Sequence, residues 1–91
     1  MGSAAVVTVE FFGIPRQRAG RTELRVPAGT VAQTLAAVEK ACPGLEGLVQ
    51  PDGRLSPHYL LSINGQSFVS DLNQPLGPAD HVLVLSADAG G

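Results

Sequence analysis

The sequence has 91 residues, 44% of them hydrophobic and 15% charged, and a formal net charge of −2. This length suits one domain with a core of its own, and the low charge content argues against a disordered chain. The chain is slightly acidic and lacks the clustered basic residues that nucleic-acid binding requires. The single cysteine, Cys42, excludes an internal disulfide and a zinc site made of several cysteines.

Nothing in the sequence points to a membrane or to export. No run approaches the roughly 18 consecutive apolar residues of a membrane-spanning helix. The N-terminal residues lack the charged and apolar regions of a secretory signal. Because the fold needs no disulfide, we expect a cytoplasmic location.

The first half of the chain predicts two strands and one helix. Apolar residues alternate with polar ones across 6–12 and across 22–26, which is typical of hairpin-paired strands with one buried face. Between them, residues 13–20 contain glycines and a proline and are interpreted as a loop. Thr30 and Gln33 match a capping box, so a helix is expected to start at Thr30 and to end at the next Pro-Gly pair.

The second half predicts the remaining strands. A third strand is expected at 59–63, and Asn64-Gly65 favours a tight hairpin turn because both residues must adopt positive φ. A short fourth strand is expected at 67–69. The continuous apolar run 82–85 is typical of a central strand. One helix cannot cover both faces of such a sheet, so we expect an α+β fold with a mixed sheet of four or five strands and one partly open face.

No arrangement of residues in the sequence predicts catalysis by this chain. His58 and His81 stand beside turn signals rather than at metal-ligand spacing, and they are interpreted as solvated loop residues. Cys42 lies on the apolar edge of the predicted helix and is expected to be buried. The acidic residues are scattered, and no phosphate-binding glycine motif occurs. We therefore expect no enzyme activity, no metal and no bound cofactor.

A small basic group lies in the predicted loop. It consists of Arg16, Arg18 and Arg21. These arginines either are simply solvated or dock against an acidic surface of a partner. Arg16 and Arg18 are the candidate partner-binding residues.

The end of the sequence is unusual because it contains only small side chains. Residues 86–91 are expected to form a flexible tail on a single domain that spans 1–91. Gly90 and Gly91 lack a Cβ and can pass through a channel that other residues would obstruct. A slim arm that ends in an ionised carboxylate predicts an acyl donor for an active site in another protein. The alternative is a frayed end.

Several short segments form a pattern that, with the terminal Gly-Gly, extends over about residues 6–91. They are Phe11-Phe12, Ala19-Gly20, Thr30-Val31, Pro43-Gly44-Leu45, Asp52-Gly53-Arg54-Leu55, Ser62-Ile63-Asn64-Gly65, Pro75-Leu76 and Ala79-Asp80-His81-Val82. This pattern resembles the ubiquitin-like sulfur carriers, the family of the molybdopterin synthase small subunit and of the thiamine-pathway sulfur carrier (MoaD/ThiS). The length favours the molybdopterin branch, although residues 87–91 replace the proline-containing tail common there.

The resemblance implies a β-grasp fold and the role of a sulfur carrier. An E1-like adenylating enzyme would use ATP and Mg²⁺ to attach AMP to the carboxylate of Gly91. A sulfur donor, such as a cysteine desulfurase or a rhodanese-like protein, would then displace AMP and leave a thiocarboxylate. The large subunit of a molybdopterin synthase is the expected acceptor of the sulfur. The chain itself would contribute reach and shape rather than acid–base groups.

Other functions remain open at this point. The same tail would serve a sulfur carrier for thiamine, cysteine, thiolated tRNA or a secondary metabolite. It would also serve a ubiquitin-like modifier that is joined through Gly91 to lysines of target proteins. A third alternative is a β-grasp interaction domain whose tail is inert.

Strand parity predicts where a partner would bind. If the valines of the last strand face the helix, Leu83 and Leu85 face the open side of the sheet, and Leu61 joins them if Leu60 points inward. Leucines clustered on an open face predict a docking surface for the activating enzyme. The alternative is that a connecting segment covers them.

Overall fold

The computed structural model describes residues 5–87, apart from the side chain of Ser67, so Gly90 and Gly91 lie outside the described residues. Within this range the chain forms five strands, two α-helices and one 3₁₀ helix. In chain order these are β1 Val6–Phe11, α1 Ile14–Ala19, β2 Glu23–Pro27, α2 Val31–Ala41, the 3₁₀ helix Pro43–Leu45, β3 Tyr59–Ile63, β4 Ser67–Phe68 and β5 His81–Ser86. None of the helices between residues 5 and 87 is long and apolar enough to cross a membrane.

The strands form one mixed sheet in the order β2-β1-β5-β3-β4. β5 runs parallel to β1 and antiparallel to β3, while the β1–β2 and β3–β4 pairs are antiparallel. The last strand is therefore central, as its continuous apolar run predicts. This arrangement confirms the α+β, β-grasp fold.

The core lies between one face of the sheet and α2. Alternate residues of each long strand point into it, because successive side chains of a strand lie on opposite faces. Its fully buried members include Val7, Val9, Phe11, Val31, Leu35, Val38, Leu61, Val82 and Val84. Burial of each such side chain stabilises the fold by about 1.5–3 kcal/mol, so this packing is the main favourable contribution to folding.

The start of α2 is fixed by the predicted capping box. The N–H of Gln33 donates to Thr30 Oγ1 at 3.1 Å, and the N–H of Thr30 donates to Gln33 Oε1 at 2.9 Å. Two backbone donors that the helix would leave unpaired are thereby satisfied. A neighbouring segment completes the start, because the N–H of Val31 donates to the carbonyl of Gln74 at 2.9 Å.

Residues 14–19 form a short helix, so the expectation of a loop there is wrong. Pro15 lies in the first turn, where its missing N–H costs nothing. Gly20 adopts the left-handed conformation (φ 74°) that ends many helices, and its N–H donates to the carbonyl of Arg16 at 3.0 Å. The proline and glycines that were interpreted as loop residues are therefore the start and stop signals of α1.

The turn between β3 and β4 adopts the predicted geometry and also anchors the start of β5. Asn64 and Gly65 have φ values of 57° and 69°. The N–H of His81 donates to Asn64 Oδ1 at 2.9 Å, and Asn64 Nδ2 donates to Asp80 Oδ1 at 3.0 Å. The other oxygen of Asp80 accepts the N–H of Gly77 at 2.8 Å.

Asp80 is expected to make stability depend on pH. The N–H of Gly77 and then the Asn64 amide hold the pKa of Asp80 below its ordinary value of 3.8. Its contribution to stability is therefore present above that value and is lost as the pH falls through the lower folded-state pKa. We expect Asp80→Asn to be less stable than the wild type at neutral pH, with a smaller difference near about pH 3. Urea unfolding at both pH values measures this, and an unchanged difference would contradict it.

Candidate functional site

The strand β5 delivers the chain toward its last residues at one corner of the sheet. Ser86 is the last residue of β5 and pairs with Tyr59, and the N–H of Ala87 donates to the carbonyl of His58 at 2.9 Å. The first two residues of the predicted tail are thus bonded to the sheet. The remaining four, residues 88–91, lie outside the described range.

A groove of about 280 Å³ lies beside this exit, and we call it the tail-exit groove. It is lined by Ile14, Arg18, His58, Tyr59 and Ser86. Arg18 Nη1 donates to Tyr59 Oη at 2.7 Å, which ties α1 to the start of β3. Because residues 14–19 are helical, α1 places Arg18 at the tail exit.

The three arginines do not form one patch. Arg16 and Arg21 line a second, more open groove of about 580 Å³ with Gly13, Gln17 and Thr22, rather than the tail-exit groove. All three side chains are exposed. The arginines therefore line two separate grooves, and of these two only the groove with Arg18 includes a residue of β5.

The open face of the sheet carries an apolar patch. Leu83 and Leu85 are half-buried and alternate with the buried valines of β5, as parity predicts. Leu60 pairs with Leu85, and Ser62 pairs with both Leu83 and Phe68, so these residues share that face. Phe68 is 64% exposed. We call Leu60, Phe68, Leu83 and Leu85 the open-face patch.

Leu61 does not belong to this patch, so the expectation for it is wrong. Its side chain is only 1% exposed, and it pairs with Val84 on the core face. Paired residues in a sheet lie on the same side, so the buried Val84 places Leu61 in the core and turns Leu60 outward. Sequence reasoning missed Leu60 because Tyr59-Leu60-Leu61 has no polar residue that marks the outer face.

Polar and charged residues border the patch on the side of β1. His81 lies on β5 rather than in a loop, and its Nε2 is 2.9 Å from Glu10 Oε1. Glu10 in turn pairs with Leu83, which places the His81–Glu10 contact directly beside the patch. The open face therefore combines an apolar centre with a polar rim, as protein interfaces do.

Of the remaining candidates from the sequence, one is buried and one is exposed. Cys42 is buried in the core, as expected. His58 is exposed beside the tail exit. Between residues 5 and 87, no three or more His, Cys, Asp or Glu residues group in a way that could hold a metal ion.

The sequence matches no family model and no curated protein, whereas the fold matches many solved structures. The small archaeal modifier protein 1 of Haloferax volcanii is 27% identical, with a TM-score of 0.74 over 89% of this chain and 95% of that one. The HVO 2177 protein of the same organism is 28% identical, with a TM-score of 0.77 over 97% of this chain and 88% of that one. A third match comes from the complex of subunits 1 and 2 of the molybdopterin-converting factor of Helicobacter pylori. It is 22% identical, with a TM-score of 0.63 over 94% of this chain and 99% of that one.

These matches define the chain as a β-grasp, ubiquitin-like protein over nearly its whole length. Proteins described as a small archaeal modifier protein and as molybdopterin-converting factors are thus among those that share the fold expected from the resemblance. The Helicobacter structure adds that a protein of this fold occurs in a complex with a second subunit.

Gly44 is expected to be required for the position of α1. A Cβ at this residue would collide with the carbonyl of Arg18, because the 3₁₀ helix packs directly against α1. We expect Gly44→Ala to destabilise the fold by about 1–3 kcal/mol, as overpacking of a close contact does. Gly77→Ala is the control, since its Cβ would meet only Asp80 Oδ2 at an ordinary 3.9 Å. Equal stability of the two variants in urea unfolding would contradict the prediction.

Proposed function

We propose that this chain is a sulfur carrier whose Gly91 carboxylate is activated as an acyl-adenylate and converted to a thiocarboxylate. The observation that carries the proposal is the position of Ser86 and Ala87. Both are bonded to the sheet, and the sequence then continues for four small residues to Gly91. Fully extended, four residues span about 14 Å, enough to enter the active site of a partner.

The proposed chemistry requires no catalytic group on this chain. In the partner, an oxygen of the Gly91 carboxylate attacks the α-phosphate of ATP and pyrophosphate leaves, with Mg²⁺ balancing the phosphate charge. A sulfur nucleophile at the oxidation level of hydrosulfide then attacks the carbonyl carbon. The bond to AMP breaks, AMP leaves with the electron pair, and a thiocarboxylate remains. The role of this chain is to present Gly90 and Gly91 without side chains.

The open-face patch is the proposed docking surface for the adenylating enzyme. It has the apolar centre that binding energy requires and a polar rim that fixes orientation. Two of its four residues, Leu83 and Leu85, lie on β5, the strand that leads to residues 88–91. Arg18, which lines the tail-exit groove with Ser86, and Arg16 on the same helix are proposed to contact acidic residues of the same partner.

The proposed pathway is molybdopterin synthesis, with this chain as the small subunit of the synthase. The support is the fold shared with a molybdopterin-converting factor that forms a two-subunit complex. A second candidate is a ubiquitin-like protein modifier. It is favoured by the 27% identity to a small archaeal modifier protein, which exceeds the identity to the molybdopterin factor. Carriers for other sulfur-containing products would use the same tail.

The experiment that tests the proposal is intact-mass analysis of the chain purified from its source without a C-terminal tag. A carrier is expected to show a fraction that is heavier by the replacement of one oxygen by sulfur at Gly91. A modifier is expected instead to show isopeptide-linked conjugates of high mass on a denaturing gel. The same spectrum shows whether Gly91 is the terminal residue. If neither the thiocarboxylate nor the conjugates are found under sulfur-replete growth, the inert interaction domain is the better description.

Activation is expected to be sensitive to a single methyl group at the last residue. Gly91→Ala should slow adenylation, because the added methyl group would weaken binding of the terminus in a channel shaped for glycine. By analogy with overpacking of a core, the cost is about 1–3 kcal/mol. Removal of Gly91 should abolish it. Both variants should unfold at the wild-type temperature, since residues 88–91 follow the last strand. Adenylation is measured by ATP–pyrophosphate exchange, and a normal rate for Gly91→Ala would contradict the narrow channel.

The patch is tested by a matched pair of neighbouring leucines. We expect Leu60→Asp, like Leu83→Asp or Leu85→Asp, to weaken binding to the adenylating enzyme about tenfold or more while the fold persists. Leu61→Asp should unfold the chain instead, because it places a carboxylate in the core. Calorimetric binding and circular dichroism separate the two effects. Wild-type affinity of the folded Leu60, Leu83 and Leu85 variants would exclude this face.

A further inference from the structure

The basic residues of this chain are almost all arginine. The sequence contains five arginines and one lysine, Lys40, which is exposed in the last turn of α2. The two side chains differ in a way that matters beside an activated carboxyl group. A guanidinium stays protonated and does not attack carbonyls, whereas a lysine releases some free amine because its ordinary pKa is about 10.4.

The tail-exit groove carries an arginine at a position where an amine could attack the activated carboxyl group of Gly91. Arg18 lines this groove with Ser86, and its Nη1 is held at 2.7 Å from Tyr59 Oη. Gly91 follows Ala87 by only four positions, so an activated Gly91 can fold back within about 14 Å of the exit. Arg16 lies on the same short helix, and α1 contacts β5. The whole helix has no lysine.

We infer that arginine at position 18, supported by Arg16, is a specificity device that prevents the activated terminus from acylating its own domain. This inference rests on the proposed activation of Gly91. With lysine there, the deprotonated Nζ would attack the Gly91 carbonyl carbon, a C–N bond would form, and the bond to AMP would break. AMP would leave with the electron pair, and the amine would lose a proton. The resulting amide would not react further with a sulfur nucleophile. An ester formed on Ser86 or an acyl-imidazole formed on His58 would still react with one.

The far end of the sheet offers a matched control position. Arg25 pairs with Thr8, which pairs with His81 at the start of β5. From the strand rise and strand spacing, this position lies about 20 Å from Ala87. Four extended residues alone do not span that distance, and the two groups would meet only with both the tail and the lysine side chain fully extended. A lysine there therefore meets the terminus much less often. Both Arg18 and Arg25 are exposed, and both substitutions keep the charge.

The test uses an activated terminus made without any activating enzyme. The chain is fused to an intein and released by a small thiol, which yields a Gly91 α-thioester. The background variant is Lys40→Arg, so that the α-amino group is the only amine common to all samples. Arg18→Lys, Arg16→Lys and Arg25→Lys are each added to it. The thioesters are incubated at about pH 9, where more lysine is deprotonated. Circular dichroism confirms that each variant is folded.

Intact mass and peptide mapping follow the reaction. We expect Arg18→Lys to form an internal amide between Gly91 and the amine introduced at position 18, a product lighter than the hydrolysed chain by one water. It should form about tenfold faster than the corresponding amide of Arg25→Lys. Arg16→Lys should fall between them. Equal rates at positions 18 and 25, or no internal amide at position 18, would overturn the inference. Because the thioester is installed chemically, failure here is independent of whether Gly91 is adenylated in the cell.

Discussion

The parallel pairing of β1 with β5 is the constraint on which the rest of the structure depends. It places the last strand between the first and third strands, so that its two faces serve two purposes. Val82 and Val84 close the core, and Leu83 and Leu85 project from the other side. It also decides where the chain leaves the sheet. The pairing with β1 ends at Val84, and beyond it the end of β5 is held by β3, where Ser86 pairs with Tyr59.

Local signals in the sequence predicted local structure well. The capping box at Thr30 and the turn at Asn64-Gly65 are set by residues within three positions of each other, and both have the expected geometry. The helix α1 was missed because the local signals around it are ambiguous. Proline and glycine punctuate short helices and loops alike, and six residues are too few to show a helical period. The strands were predicted within one or two residues at each end.

The candidate site depends on contacts that the sequence does not display. Arg18 reaches the tail exit through Tyr59, 41 positions away. Leu60 rather than Leu61 faces outward because β3 is registered against β5, and that register is not visible in an uninterrupted apolar run. His81 was interpreted as a loop residue because it follows a turn signal, and the residue it contacts, Glu10, lies on another strand. In each case the missing information was the identity of a distant neighbour.

The hydrogen bonds at the end of β5 have a geometric consequence for any partner. Ser86 pairs with Tyr59 of β3, and Ala87 bonds to the carbonyl of His58 just before that strand, so the described chain ends at a defined place beside Leu85. If the proposed function holds, a partner that binds those leucines would meet residues 88–91 at a defined starting point. Its reactive centre would then lie within about 14 Å of Ala87, the reach of four extended residues. Partners of different chemistry would share that spacing, even with unrelated folds.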